Sequence, residues 1–187
     1  MIRRTLLQLI ALAMLAAAPF SLRSQPLTAP EYQLKAAFLF NFMQFVQWPA
    51  SAFADGASSV ASPMIIAVLG EDPFGEQLDQ LVRGEKIRGR PIVVQRHARI
   101  EDVGPCQLLY INESDQRKLK SILAKLAQQP VLTVSDALDF THHGGMINFV
   151  TQDKRVRLLI NVDAATAAQL TLSSKLLRPA QIVTVGQ

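Results

Sequence analysis

The stretch from Thr28 to Pro49, TAPEYQLKAAFLFNFMQFVQWP, does most to restrict what this chain can fold into. Thr28 and Glu31 fit a capping box, and Leu34, Phe38, Asn41, Phe42 and Phe45 then follow one helical face. Leu39, Phe40 and Met43 occupy the opposite side. A helix that is apolar on both sides is either buried between layers or packed against another chain. Leu34, Phe38, Phe42 and Phe45 are accordingly the expected packing or dimer face.

What precedes this helix reads as an export signal. Arg3 and Arg4 are followed by an apolar run from Thr5 to Ala18 that is shorter than the ~20 residues needed to span a bilayer. Residues 1–24 are read as a signal peptide and 25–187 as one mature domain outside the cytoplasm, with a retained anchor as the alternative. The segment takes Arg3, Arg4 and Arg23 with it, so the 19 basic residues of the full chain drop close to parity with its 15 acids. The sequence pI near 9.5 is therefore partly a property of the removed segment, and no nucleic-acid partner is expected. Arg83, Lys86, Arg88, Arg90, Arg96 and Arg99 are interleaved with Glu85, Glu101 and Asp102, the pattern of a solvated face.

Beyond the helix, short β-branched runs alternate with helical periodicity. Strands are expected at Met64–Leu69, Ile92–Gln95, Cys106–Ile111 and Val131–Val134, and a hairpin at Met146–Val150 and Val156–Asn161 around Gln152-Asp153-Lys154. Asp72 caps and Pro73 opens a helix with Phe74, Leu78, Leu81 and Val82 inward. Ser114 starts an amphipathic helix with Leu119, Ile122, Leu123 and Leu126 inside. Asp55 to Pro63 reads as a loop, and helical segments around Ala164–Leu170 and Ser173–Val183 close the chain. This order predicts a single α/β domain, a mixed, mostly parallel sheet flanked by helices on both faces in a Rossmann-like sandwich. The lone Cys106 excludes an intrachain disulfide and reads as a small core hydrophobe.

The residues that could carry chemistry do not converge. Gly70-Glu-Asp-Pro-Phe-Gly75 sits between a strand and a helix, but it lacks both nucleotide-loop patterns, and Glu71 and Asp72 would repel phosphate. His142 and His143 are adjacent and unsupported by further ligands, so no metal is expected. No serine elbow is present, Cys106 lies in a buried strand pattern, and Asp136 reads as a helix cap. On residues alone this is a non-catalytic exported domain without a cofactor.

The run Glu31-Tyr32, Lys35-Ala36-Ala37-Phe38-Leu39, Asn41-Phe42, Phe45 and Trp48-Pro49 resembles the opening motif of the YfiR family of periplasmic regulators. Further segments follow in the family's order: Gly70-x-Asp72-Pro73-Phe74-Gly75, the strand at Cys106, Val131-Leu132-Thr133-Val134-Ser135-Asp136, Gly144-Gly145-Met146-Ile147, and Ile160-Asn161 followed by Ser174-Lys175-Leu176-Leu177. The resemblance implies a homodimeric protein that binds and represses the periplasmic sensor region of an inner-membrane diguanylate cyclase. Such a protein would lower cyclic di-GMP and biofilm formation, and an outer-membrane lipoprotein would relieve it. The alternative is a binding module for another membrane sensor, such as a histidine kinase, or for a small solute. By motif register the family's partner and ligand contacts fall on Leu159, Ala165, Thr171 and Ser173. These lack the cationic groups that would hold an anionic ligand, and no cysteine in Ile65–Leu69 could pair with Cys106 as the resemblance would have it.

Overall fold

The computed structural model describes residues 28–53, 62–113 and 116–184. The export segment 1–24, most of the expected Asp55–Pro63 loop and the Ser114 helix start lie outside them. Helix α1, Thr28–Phe45, is rich in Ala, Leu and Phe, with Pro30 in its first turn, where a missing N–H costs nothing. It ends at strand β1, Val46–Gln47, before Trp48-Pro49. There the Trp48 indole N–H donates to Gln107 O at 2.9 Å. The Gln107 side chain in turn accepts from Ile65 N–H and donates to Ala52 O, tying the end of α1 to the sheet.

The remaining elements are β2 (Met64–Gly70), α2 (Glu76–Val82), β3 (Lys86–Ile87), β4 (Arg90–His97), β5 (Leu108–Asn112), α3 (Gln116–Leu126), β6 (Leu132–Ser135), β7 (Ile147–Gln152), β8 (Arg155–Ile160), α4 (Val162–Ala167), β9 (Thr171–Leu172), α5 (Ser174–Leu177) and β10 (Gln181–Ile182). Eight strands form one sheet in the order β10-β8-β7-β6-β5-β2-β4-β3, and β1 pairs separately with β9. Parallel pairing runs from β4 through β2, β5 and β6 to β7; β8 is antiparallel to β7, and β3 to β4. The expected mixed, mostly parallel α/β sandwich is what forms.

Period-two alternation sorts the strands into two cores. Ile66, Val68, Leu108, Tyr110, Leu132, Val134, Ile147, Phe149, Leu158 and Ile160 face α1 and α2, and Ala165 and Leu176 join that core from α4 and α5. Ala67, Leu69, Leu109 and Ile111 face the other way, against Leu119, Ile122, Leu123 and Leu126 of α3. Four of the described helices thus pack on one face and α3 alone on the other. Cys106 is buried at the start of this second core, and burial lifts its thiol pKa to about 12.

Two motif glycines are explained by packing. Gly70 has φ 91°, and a Cβ there would lie 2.4 Å from the Asn112 carbonyl across the β2–β5 register. A Cβ on Gly145 would lie 2.2 Å from the Phe140 ring.

Several sequence expectations shift. Leu34 is 46% exposed, whereas Phe42, on the same expected face, is fully buried. Leu81 is also exposed rather than core. The last helix stops at Leu177, with β9 and β10 in place of the longer closing helices. Glu31 pairs with Lys35 at 2.7 Å, and Asp136 does not cap a helix but binds Lys35 at 2.8 Å.

Candidate functional site

The Gly70–Gly75 loop fills its own cradle. Asp72 accepts from Phe74 N–H at 2.8 Å, and Arg96 donates to Asp72, to Asp79 and to the Gly75 carbonyl. The guanidinium holds the Asp79 carboxyl below its ordinary pKa, and the same pairing raises the pKa of Arg96. An anion entering here would have to displace two carboxylates from one arginine.

The crevice at the carboxyl ends of β2 and β5, where an α/β sheet reverses its winding, has a volume of about 340 Å³. Its charges are largely spent on each other: Lys125 lies 2.8 Å from Glu101, and Lys118 3.8 Å from Glu113. His142 and His143 sit in the turn Thr141–His143 and line different clefts. Among the described residues no group of three metal-ligating side chains forms.

A different place stands out from coverage of the sheet. The hairpin β7–β8 buries Ile147, Phe149, Leu158 and Ile160 beneath α1, stacking Phe149 on Phe42 at 5.9 Å between ring centres. Its other face lies beyond the reach of α3, leaving Val150 and Leu159 half-buried and Arg155 and Arg157 exposed. Leu138 overhangs this face at 75% exposure, the most exposed large hydrophobe among the described residues. Together with Asn148 and His142, these apolar groups line a cleft of about 350 Å³. Asn148 is held rigid by donating to Ser135 O and Ala137 O, both at 3.1 Å.

A buried ion cluster anchors one wall of the cleft. The Lys35 ammonium, 3% exposed, contacts Glu31 and Asp136, and the Tyr32 hydroxyl donates to Asp136 at 2.9 Å. Thr151 on β7 donates to Glu31 at 2.8 Å, so the start of α1 is bolted to the ends of β6 and β7. Burial alone would raise the Asp136 pKa, but the Lys35 ammonium and the tyrosine hydroxyls beside it hold it below the ordinary value. Glu31 is lowered chiefly by its bond to Lys35. Tyr32 is pushed up to about 12, first by burial and then by the Asp136 charge.

The residues expected to contact partners separate in space. Leu159 lines the cleft, while Ala165 is fully buried in α4. Thr171 is exposed in β9 opposite Gln47. Ser173 caps α5 by accepting from Lys175 N–H, and its own N–H donates to Phe45 O at 2.9 Å. Thr171 and Ser173 thus belong with the end of α1, and no described cleft joins them to Leu159. Sequence reasoning missed Lys35, Leu138, Arg155 and Arg157. For Lys35 a signal existed: a cation four residues after Glu31 inside an otherwise greasy helix.

Among the described residues no helix is long and apolar enough to cross a membrane. The protein family described as YfiR/HmsC-like matches residues 32–181, spanning the opening helix through the first residue of β10. No curated protein matches the chain.

Proposed function

The chain belongs to the YfiR/HmsC-like family, and from that premise we propose that it is a periplasmic regulator that binds the periplasmic sensor region of an inner-membrane diguanylate cyclase. Binding holds the cyclase inactive and lowers cyclic di-GMP. Residues 1–24 are removed on export, and the mature 25–187 domain acts by contact rather than by chemistry. The filling of the only nucleotide-loop-like segment by Arg96 supports that reading. An outer-membrane lipoprotein is the partner expected to compete for the regulator.

The observation that carries the reading is the face of the β7–β8 hairpin that no described helix covers. Leu138, Val150 and Leu159 form an apolar floor, with exposed Arg157 opposite Val150 in the hairpin register, the arrangement of a patch that a second protein covers. Thr171 and Ser173 at the end of α1 form a smaller second contact. Leu34, exposed on α1, and the half-buried Phe38 and Phe45 are the members of the expected dimer face available to pair two copies, whereas Phe42 is core.

The test is intracellular cyclic di-GMP with and without the gene. Deletion should raise it, and a plasmid copy should restore it. A Leu138→Glu copy should fold, because that side chain is 75% exposed, yet fail to restore the level. Unchanged cyclic di-GMP on deletion would remove the regulatory reading.

A further inference from the structure

The β7–β8 hairpin is closed by Asp153 and Lys154, both in left-handed backbone with φ 51° and 60°. A two-residue turn of this kind makes Gln152↔Arg155, Val150↔Arg157 and Asn148↔Leu159 the pairs that exchange main-chain hydrogen bonds. Alternation then points the N–H and C=O groups of Val156, Leu158 and Ile160 away from β7. In agreement, Ile160 O accepts from Val183 N–H at 2.8 Å on that outer side. Strand β10 occupies only the end of this edge, in register at Leu159 and Ile160. Among the described residues no strand pairs with the outer side of Arg155–Arg157, and the register of Gln181 with Leu159 takes the Leu158 carbonyl but leaves its N–H open.

The two faces of this open edge differ in chemistry. At the edge, on the α1 side, lies a cleft of about 230 Å³ where Phe38, Val156, Leu158 and Pro179 supply the apolar walls and Arg155 and Arg157 complete the lining. On the opposite face Arg155 and Arg157 are exposed and, among the described residues, make no ion pair. Pro179 has no N–H to donate, so the chain leading into β10 cannot extend its own pairing along the edge at that residue.

We propose that the outer edge of β8 at Val156–Leu158 is the docking site for an extended segment of the partner protein, which adds to the sheet as one more strand. Its apolar side chains enter the Phe38–Pro179 cleft, and alternate acidic side chains meet Arg155 and Arg157. The proposal rests on the regulatory reading above and adds the chemistry of what is recognised. A second copy of this chain does not suit the edge, because self-pairing sets Arg155 and Arg157 against the copy's own arginines. The open edge is about 10 Å long at the rise of a β-strand, so backbone pairing sets direction and register while the side chains select the partner.

The test uses the mature chain labelled for NMR and two synthetic probes, acetyl-Glu-Val-Asp-Val-Glu-Val-amide and its counterpart with lysine at every acidic position. The acidic probe should slow amide exchange at Val156 and Leu158, and the lysine probe should leave both unchanged. Val156→Pro, which removes the outward N–H while leaving the β7–β8 hydrogen bonds in place, should weaken the acidic probe about tenfold, the scale of a lost main-chain hydrogen bond. Arg155→Glu with Arg157→Glu, both on exposed side chains, should reverse the preference between the probes. Absence of protection with saturating acidic probe, or equal binding of the two probes, overturns the proposal. In cells, deletion that raises cyclic di-GMP, fully restored by the Val156→Pro copy, keeps the regulatory reading and discards the edge site. No rise on deletion discards that reading itself.

Discussion

Lys35 is the residue on which the packing of α1 turns. An ammonium at 3% exposure is tolerable because two carboxylates lie within 2.8 Å and the Tyr32 ring lies beneath it at 4.4 Å. Lys35→Met keeps the volume and removes the charge, leaving Asp136 mostly buried and without its cation. We expect a loss of about 3–5 kcal/mol in urea unfolding, as for other broken buried pairs. Adding Asp136→Leu should return most of it, so the two changes will be strongly non-additive in a double-mutant cycle. The same cluster sets the pH response. Glu31 and Asp136 have native pKa values below their ordinary 4.5 and 3.8, so their contribution is complete above those values and lost as pH falls through the lower native ones. Tyr32 runs the other way: its pKa rises from 10.0 to about 12, so its contribution is complete below pH 10 and lost as pH climbs toward 12. Unfolding midpoints measured across pH should therefore fall at both ends for the native chain, and more steeply than for the Lys35→Met, Asp136→Leu double variant. Parallel curves would show that the cluster is not the titrating unit.

At the scale of elements, α1 shows where pattern reading stops. Periodicity places Leu34 and Phe42 on one face, but eight residues at 3.6 per turn leave them about 80° apart around the axis, so Leu34 reaches solvent and Phe42 does not. Phe42→Glu should leave the protein unfolded or insoluble, since an unpaired buried carboxylate costs several kcal/mol against a total stability of about 5–15. Leu34→Glu should stay within about 0.5 kcal/mol of the parent by thermal melt. If both variants unfold, Leu34 is covered in solution by a second copy. Strands β2, β5 and β6 were legible because buried Val, Ile and Leu runs bounded by Gly, Asn or Pro have few other outcomes. Strands β9 and β10 were not, because two-residue pairings such as Gln181↔Leu159 arise from tertiary contact and leave no periodicity. The start of the last helix at Ser173 matches the expected segment, capped by the serine hydroxyl, while its expected length to Val183 does not.

At the scale of the molecule, the strand–helix alternation predicted helices on both faces, but their unequal number depends on crossovers that sequence does not display. The connection from β4 to β5 contains only the short turn Ile100–Asp102, so no helix joins α3 on its face. The candidate surface is hidden for a similar reason: the connection from β6 to β7 holds only the short turn Thr141–His143, and Leu138, Val150 and Leu159 are unremarkable apolar residues until that lack of a helix exposes them. Uneven coverage also implies uneven stability. Strands β2 and β5 carry buried side chains on both faces, whereas β8 has one buried face, one solvated face and an edge that is open over half its length. Native-state amide exchange should therefore be slowest at Ala67, Val68, Leu109 and Tyr110, close to the free energy of global unfolding, and distinctly faster at Val156 and Leu158 through local opening of the hairpin. Uniform protection across the sheet would mean that the hairpin is as firmly held as the centre. A faster hairpin is the physical condition for recognition there, because the partner's segment supplies the cover and the hydrogen bonds that the fold itself leaves unmade.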